Sequence, residues 1–91
     1  YNTFDNTSMN YTKQQLDGST AVVTRAAQFA ADRGIVVVVS AGNEGNNSWQ
    51  LVTPPADAIG VIAVGSVTSS ETRSGFSSIG PTSDNRIKPD L

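Results

Sequence analysis

Cysteine and histidine are both absent from this 91-residue chain. Without cysteine there is no disulfide framework, no thiolate metal site and no thiol nucleophile. That leaves the redox compartment open. Without histidine the chain lacks the side chain best suited to moving protons near neutral pH. Basic charge is scarce as well. A formal charge of -2 and a pI near 4.7 argue against a nucleic-acid partner, which favours a basic surface. Long apolar runs are missing too. The longest, Ile35–Val39, falls far short of the ~20 residues that cross a bilayer, so no membrane span is expected. No secretory signal, internal repeat or low-complexity tract stands out. The chain opens on Tyr1-Asn2-Thr3-Phe4 and reads as a piece of a longer protein, for which missing targeting signals carry no weight. Its length holds one domain at most, since domains usually run about 100–150 residues.

What is present centres on Ile35-Val36-Val37-Val38-Val39-Ser40-Ala41-Gly42-Asn43-Glu44-Gly45. An unbroken aliphatic run between Gly34 and Gly42 predicts a strand of a parallel sheet, buried on both faces. In open parallel sheets, ligands and chemistry sit beyond the carboxyl ends of the strands. Ser40 to Gly45 occupies that place. Gly42 and Gly45 have no Cβ, which permits positive φ and close approach of another backbone. Asn43 between them has two readings. Its amide can aim a neutral donor at developing negative charge, or it can bond its own backbone in an Asx turn.

The stretch before the strand predicts an irregular polar surface segment over 1–18, anchored by Tyr1, Phe4 and Tyr11. Three sequons, at Asn6, Asn10 and Asn46, are the kind of short match that chance supplies. A helix is expected over Ser19–Arg33, capped by Ser19 or Asp17 and closed by Gly34. Val22, Ala26, Phe29 and Ala30 form its expected apolar face, packed on the sheet. Ser40 to Gly60 contains no long element, and loops of about 20 residues are uncommon, being either functional or a sign of a misassigned element. Pro54-Pro55-Ala56-Asp57 reads either as part of a binding loop or as a turn into a short helix. A second strand is expected over Val61–Val67, then an antiparallel edge strand over Arg73–Ile79 with Phe76 and Ile79 buried. Asn85 tolerates a left-handed turn position.

Three blocks carry a family resemblance. Ser40-Ala41-Gly42-Asn43-Glu44-Gly45 resembles the oxyanion loop of subtilisin-like serine proteases, the subtilases. Pro55-Ala56-Asp57 followed by Val61-Ile62-Ala63-Val64-Gly65-Ser66-Val67 is a second match. The third is Phe76-Ser77-Ser78-Ile79-Gly80-Pro81 with Arg86-Ile87-Lys88-Pro89-Asp90-Leu91 after it. They occur in the family's order and spacing. The resemblance implies an α/β class: part of a three-layer fold with a mostly parallel sheet, incomplete in this chain. Residues 1–91 would be the stretch of catalytic domain between the triad histidine and triad serine segments.

It also implies a serine endopeptidase whose Ser-His-Asp triad lies outside the chain. Asn43 would donate to the oxyanion. Ser40, Ala41, Gly42, Glu44, Pro55 and Ala56 would contact substrate, with Glu44 at the pocket rim or simply solvated. Tyr1 and Asn2 would lie near the cleft edge. Leu16-Asp17-Gly18-Ser19-Thr20 is not the family's aspartate motif, because Lys13-Gln14-Gln15 rather than a hydrophobic strand precedes it. The implied partner is a peptide or protein substrate, and the implied location extracellular or cell-surface. Calcium is frequent in the family, yet Asp57, Asp84 and Asp90 are too scattered for the clustered oxygens it needs, so no metal site or other cofactor is expected in this segment.

Two other classes of function compete. The glycine-bracketed loop could cradle a phosphate, although the P-loop lysine and glycine spacing are missing. The chain could also be a noncatalytic binding or structural segment. With one helix for two core strands, it is expected to be marginal or to associate when expressed alone.

Overall fold

The computed structural model describes residues 2–91; Tyr1, expected as an aromatic anchor and cleft-edge residue, lies outside them. Two single 3₁₀ turns, Thr7–Met9 and Lys13–Gln15, precede helix α1, Val22–Asp32. Strands β1, Val38–Ser40, and β2, Ile62–Val64, follow. The strands pair in parallel, with Val38, Val39 and Ser40 opposite Ile62, Ala63 and Val64. The 41–61 connection contains turns and no helix, as the sequence suggests.

α1 forms where alanines are frequent and neither glycine nor proline interrupts. Its start differs from expectation. The N-cap is Ala21, which has no capping side chain. Asp17 instead closes the turn before it, with Oδ1 accepting from the Ser19 and Thr20 N–H groups, each at 2.9 Å. Burial opposes ionisation of this carboxyl, but hydrogen bonds from Ser19 and Thr20 prevail and lower its pKa to about 2. The Tyr11 hydroxyl accepts from Val22 N–H at 3.2 Å, satisfying one donor of the first turn. The helix end follows the sequence closely. Gly34 takes φ +83°, and the Gly34 and Ile35 N–H groups donate back to Ala31 and Ala30. That double bond pattern is a Schellman close.

The helix faces the other way from its expected packing. Val22 and Phe29 are exposed, at 69% and 57%, while Thr24 is fully buried. The Thr24 hydroxyl donates to Asp57 Oδ1 at 2.6 Å, and Gln28 Oε1 accepts from Gly60 N–H at 2.7 Å. α1 therefore packs its polar side on the 57–60 turn, and among the described residues it touches neither strand. The expected edge strand over 73–79 is reduced to one antiparallel bridge, Val67 to Arg73. Phe76 and Ile79 stay partly exposed, while Ser74, Ser77 and Ser78 are buried.

The core is small. Ala41, Val52, Ala56 and Ala63 pack together with Val39 against them. They cover one face of the sheet only; Val38 on the other is 61% exposed. The expectation of a strand buried on both faces thus fails among the described residues. A parallel sheet needs cover on two sides, and the 41–61 connection supplies one. Beyond β2, the tail continues the sheet's bonding pattern. Asp90 and Leu91 N–H donate to Ala63 O, and Gly65 N–H donates to Leu91 O. Lys88, nearly buried, donates to Val61 O at 2.6 Å and to Asp90 Oδ2 at 2.5 Å.

Candidate active site

β1 and β2 end side by side, and their parallel register brings Ser40 opposite Val64. Ser40, Ala41, Gly42 and Asn43 from one strand end meet Val64, Gly65 and Ser66 from the other around an open groove of about 350 Å³. None of these lining residues is charged. The groove lies where the topology of an open parallel sheet places ligands.

The loop that forms its lip is held almost entirely by backbone bonds. Ala41 N–H donates to Val64 O at 2.8 Å, and Ala41 O accepts from Thr53 N–H at 3.1 Å. Gly42 O accepts from Ser78 N–H at 2.9 Å, and Gly45 N–H donates to Phe76 O at 2.9 Å. Glu44 N–H donates to Ser78 Oγ at 3.1 Å. Both glycines are needed, for different reasons. Gly42 has φ +103°, and a Cβ there would stand 2.3 Å from Thr53 Oγ1. A Cβ at Gly45 would stand 1.9 Å from the Ser77 carbonyl oxygen. The backbone of 76–78 comes that close only because position 45 has no side chain.

Asn43 rides on this pinned loop, exposed, and among the described residues its side chain makes no hydrogen bond. The Asx-turn reading requires one, so it does not hold. The phosphate-cradle reading also weakens. The Glu44 and Gly45 N–H groups that a phosphate would need are already spent on Ser78 and Phe76.

The remaining candidate residues fall outside the groove. Glu44 accepts from the Asn47 side-chain amide. Pro55 is half-buried, and Ala56 belongs to the core behind the loop. Pro54 to Asp57 form turns rather than the start of a helix. Gly65 and Ser66 line the groove, and Thr53 and Ser78 bond its lip; none of the four was a site candidate in the sequence. Ser78 lies in a block already singled out, but hydrophobicity directed attention to Phe76 and Ile79 beside it.

No three of His, Cys, Asp and Glu among the described residues are placed to share a metal. The three aspartates that invite calcium are engaged separately. Asp57 is fully buried and accepts from Gly18 N–H and the Thr24 hydroxyl. The Arg86 guanidinium holds the Asp84 carboxyl below its usual range. At Asp90 burial raises the pKa, yet bonds from Lys88 and Ala63 N–H outweigh it and leave the carboxyl lowered. These residues do not fit a calcium cage, which needs six to eight converging oxygens.

A parallel strand pair with an uncharged groove at its carboxyl end is the arrangement of a segment of an open α/β fold. The match to the Subtilase family model spans residues 3–91, and the chain belongs to that family. Subtilisin NAT of Bacillus subtilis subsp. natto is 47% identical over 68 residues, covering 74% of this chain and 18% of that protein. Subtilisin DY of Bacillus licheniformis is 47% identical over 64 residues, 69% of this chain and 23% of that protein. A subtilisin-like protease of Coccidioides posadasii is 42% identical over 65 residues, 71% and 16% respectively. The chain thus spans less than a quarter of the length of these relatives.

Proposed function

We propose that residues 1–91 are the part of a subtilase catalytic domain lying between its triad histidine and triad serine segments, within a protein that hydrolyses peptide bonds. In that protein Asn43 supplies one of two donors to the oxyanion. Its Nδ2–H points to the oxygen that becomes negative when a serine hydroxyl attacks the scissile carbonyl, and a backbone N–H of the serine segment supplies the other. A donor fixed before the reaction lowers the barrier because nothing must reorient as charge appears. Ser40, Ala41 and Gly42 line the pocket for the residue preceding the scissile bond, and their small side chains leave room for a large apolar group. Ala56 backs this wall from the core, while Glu44 and Pro55 adjoin it. The substrate is a peptide or protein, and the location outside the cell is taken from family resemblance.

The observation that carries the reading is Asn43 itself: an exposed side-chain amide without a partner among the described residues, on a loop whose backbone is tied down on both sides. An unpaired amide on a stiff support is free to bond a transient oxygen, and the loop already fixes the Cα–Cβ bond that carries it. Steady-state kinetics of Asn43→Ala in the complete protein test it. The expected loss is about 10²–10³ in kcat, the size already known for removing the oxyanion asparagine of a subtilisin itself. KM should change little, because the bond strengthens in the transition state. A change confined to KM would take Asn43 out of this role.

A further inference from the structure

We infer that Ser78 is the positioning residue for Asn43, setting the direction of its side chain through the two peptide planes that flank it. This rests on the oxyanion reading of Asn43 and extends it to a residue that does not touch substrate.

The argument starts from backbone geometry. A peptide unit is planar, so the direction of a Cα–Cβ bond follows once the planes before and after that Cα are placed. For Asn43 those planes carry the Gly42 carbonyl and the Glu44 N–H. Both are bonded to one residue. Ser78 N–H donates to Gly42 O at 2.9 Å, and Ser78 Oγ accepts from Glu44 N–H at 3.1 Å. Ser78 therefore grips the chain immediately before and immediately after Asn43, and so holds φ and ψ of that residue together.

Two further observations make the grip effective. Ser78 is 1% exposed, so its side of both bonds is shielded from water. A Cβ at Gly42 would lie 3.1 Å from Ser78 Oγ, so the close approach of the two segments depends on the glycine. The Asn43 side chain has no bond of its own to hold it among the described residues. In the resting protein the backbone therefore fixes the Cα–Cβ direction from which the amide starts, and the Glu44 half of that control passes through a hydroxyl.

Ser78→Ala removes the hydroxyl and keeps the backbone bond. In the complete protein we expect kcat to fall about tenfold to a hundredfold, the scale on which small misplacement of a catalytic group acts, with KM changed less than about twofold. The decisive measurement is the cycle with Asn43→Ala. If Ser78 acts through Asn43, Ser78→Ala should cost nothing further in kcat once the amide is gone. Affinity for a tetrahedral boronic-acid peptide should fall in parallel with kcat in the single variant, and affinity for the product peptide should not.

Thr82→Val, which removes another buried hydroxyl from a residue that does not line the groove, supplies the reference for stability loss alone and should leave kcat unchanged. If Ser78→Ala does not fold, Ser78→Cys keeps the shape with a weaker acceptor. It should show a smaller kcat loss that again vanishes beside Asn43→Ala. An unchanged kcat in the Ser78 variant overturns the inference. So does an equal fold-loss with and without Asn43. A normal kcat in Asn43→Ala alone instead overturns the oxyanion reading, which separates the two failures.

Discussion

At the scale of single residues, the site is shaped as much by what is missing from side chains as by what they carry. Gly45 shows this most clearly, because a Cβ there would meet a backbone oxygen at 1.9 Å rather than a side chain that can swing away. Gly45→Ala should therefore destabilise the complete protein by about 1–3 kcal/mol in urea unfolding, the usual range for forced overpacking. Gly75→Ala is the matched comparison. Nothing lies within 4 Å of its added carbon, and the effect should stay within about 0.5 kcal/mol. Equal losses at the two positions would show that the close approach at Gly45 is not a real constraint. The need for glycines on either side of Asn43 was legible in the sequence. Which of them serves a positive φ and which a close approach was not, because that depends on Thr53 and Ser77 arriving from elsewhere in the chain.

At the scale of elements, the strands are short and their ends are supported from the side. β2 is held by β1 on one edge and by residues 88–91 on the other. Lys88 is the centre of that second support, since its ammonium group bonds both Val61 O and Asp90 while nearly buried. Lys88→Met keeps the aliphatic stem and removes the donors. Urea unfolding of the complete protein should then show a loss of about 1–3 kcal/mol, mainly from the Val61 carbonyl left without a partner. Asp90 adds little to this figure because its side chain is 40% exposed. No measurable loss would mean that the lysine is merely accommodated. The helix end was readable from Gly34, whose role is local. The helix start and its buried face were not. Asp17, Tyr11 and Asp57 determine them, and two of these three lie far from the helix in sequence.

At the scale of the whole molecule, much apolar surface is uncovered. Val22 and Phe29 on α1, Val36 just before the first strand and Val38 on it are all more than half exposed. Surface of this kind marks a place where other apolar surface packs. Residues 1–91 produced alone should therefore associate, or unfold at low denaturant. Sedimentation and urea titration at low concentration check this, and a stable monomer with a steep, late transition would contradict it. The same surface explains the main departure from the sequence reading. Hydrophobic periodicity located the apolar stripe of α1 correctly, but that stripe is left open while Thr24 and Gln28 make the contacts within the chain.

Read alone, the sequence determined what local chemistry and local backbone demand: a glycine-bracketed asparagine after an aliphatic strand, a second strand within 61–67, a helix closed at Gly34, and the family to which these belong. Tertiary structure decided the rest. It freed the Asn43 amide, placed Ser78 against the peptide planes on both sides of it, and buried serines in preference to Phe76 and Ile79. The reason is physical. A turn or a helix cap is written in neighbouring residues, whereas a bond between positions 42 and 78 depends on how distant segments meet, and neither segment records the other in its own pattern of apolar and polar side chains.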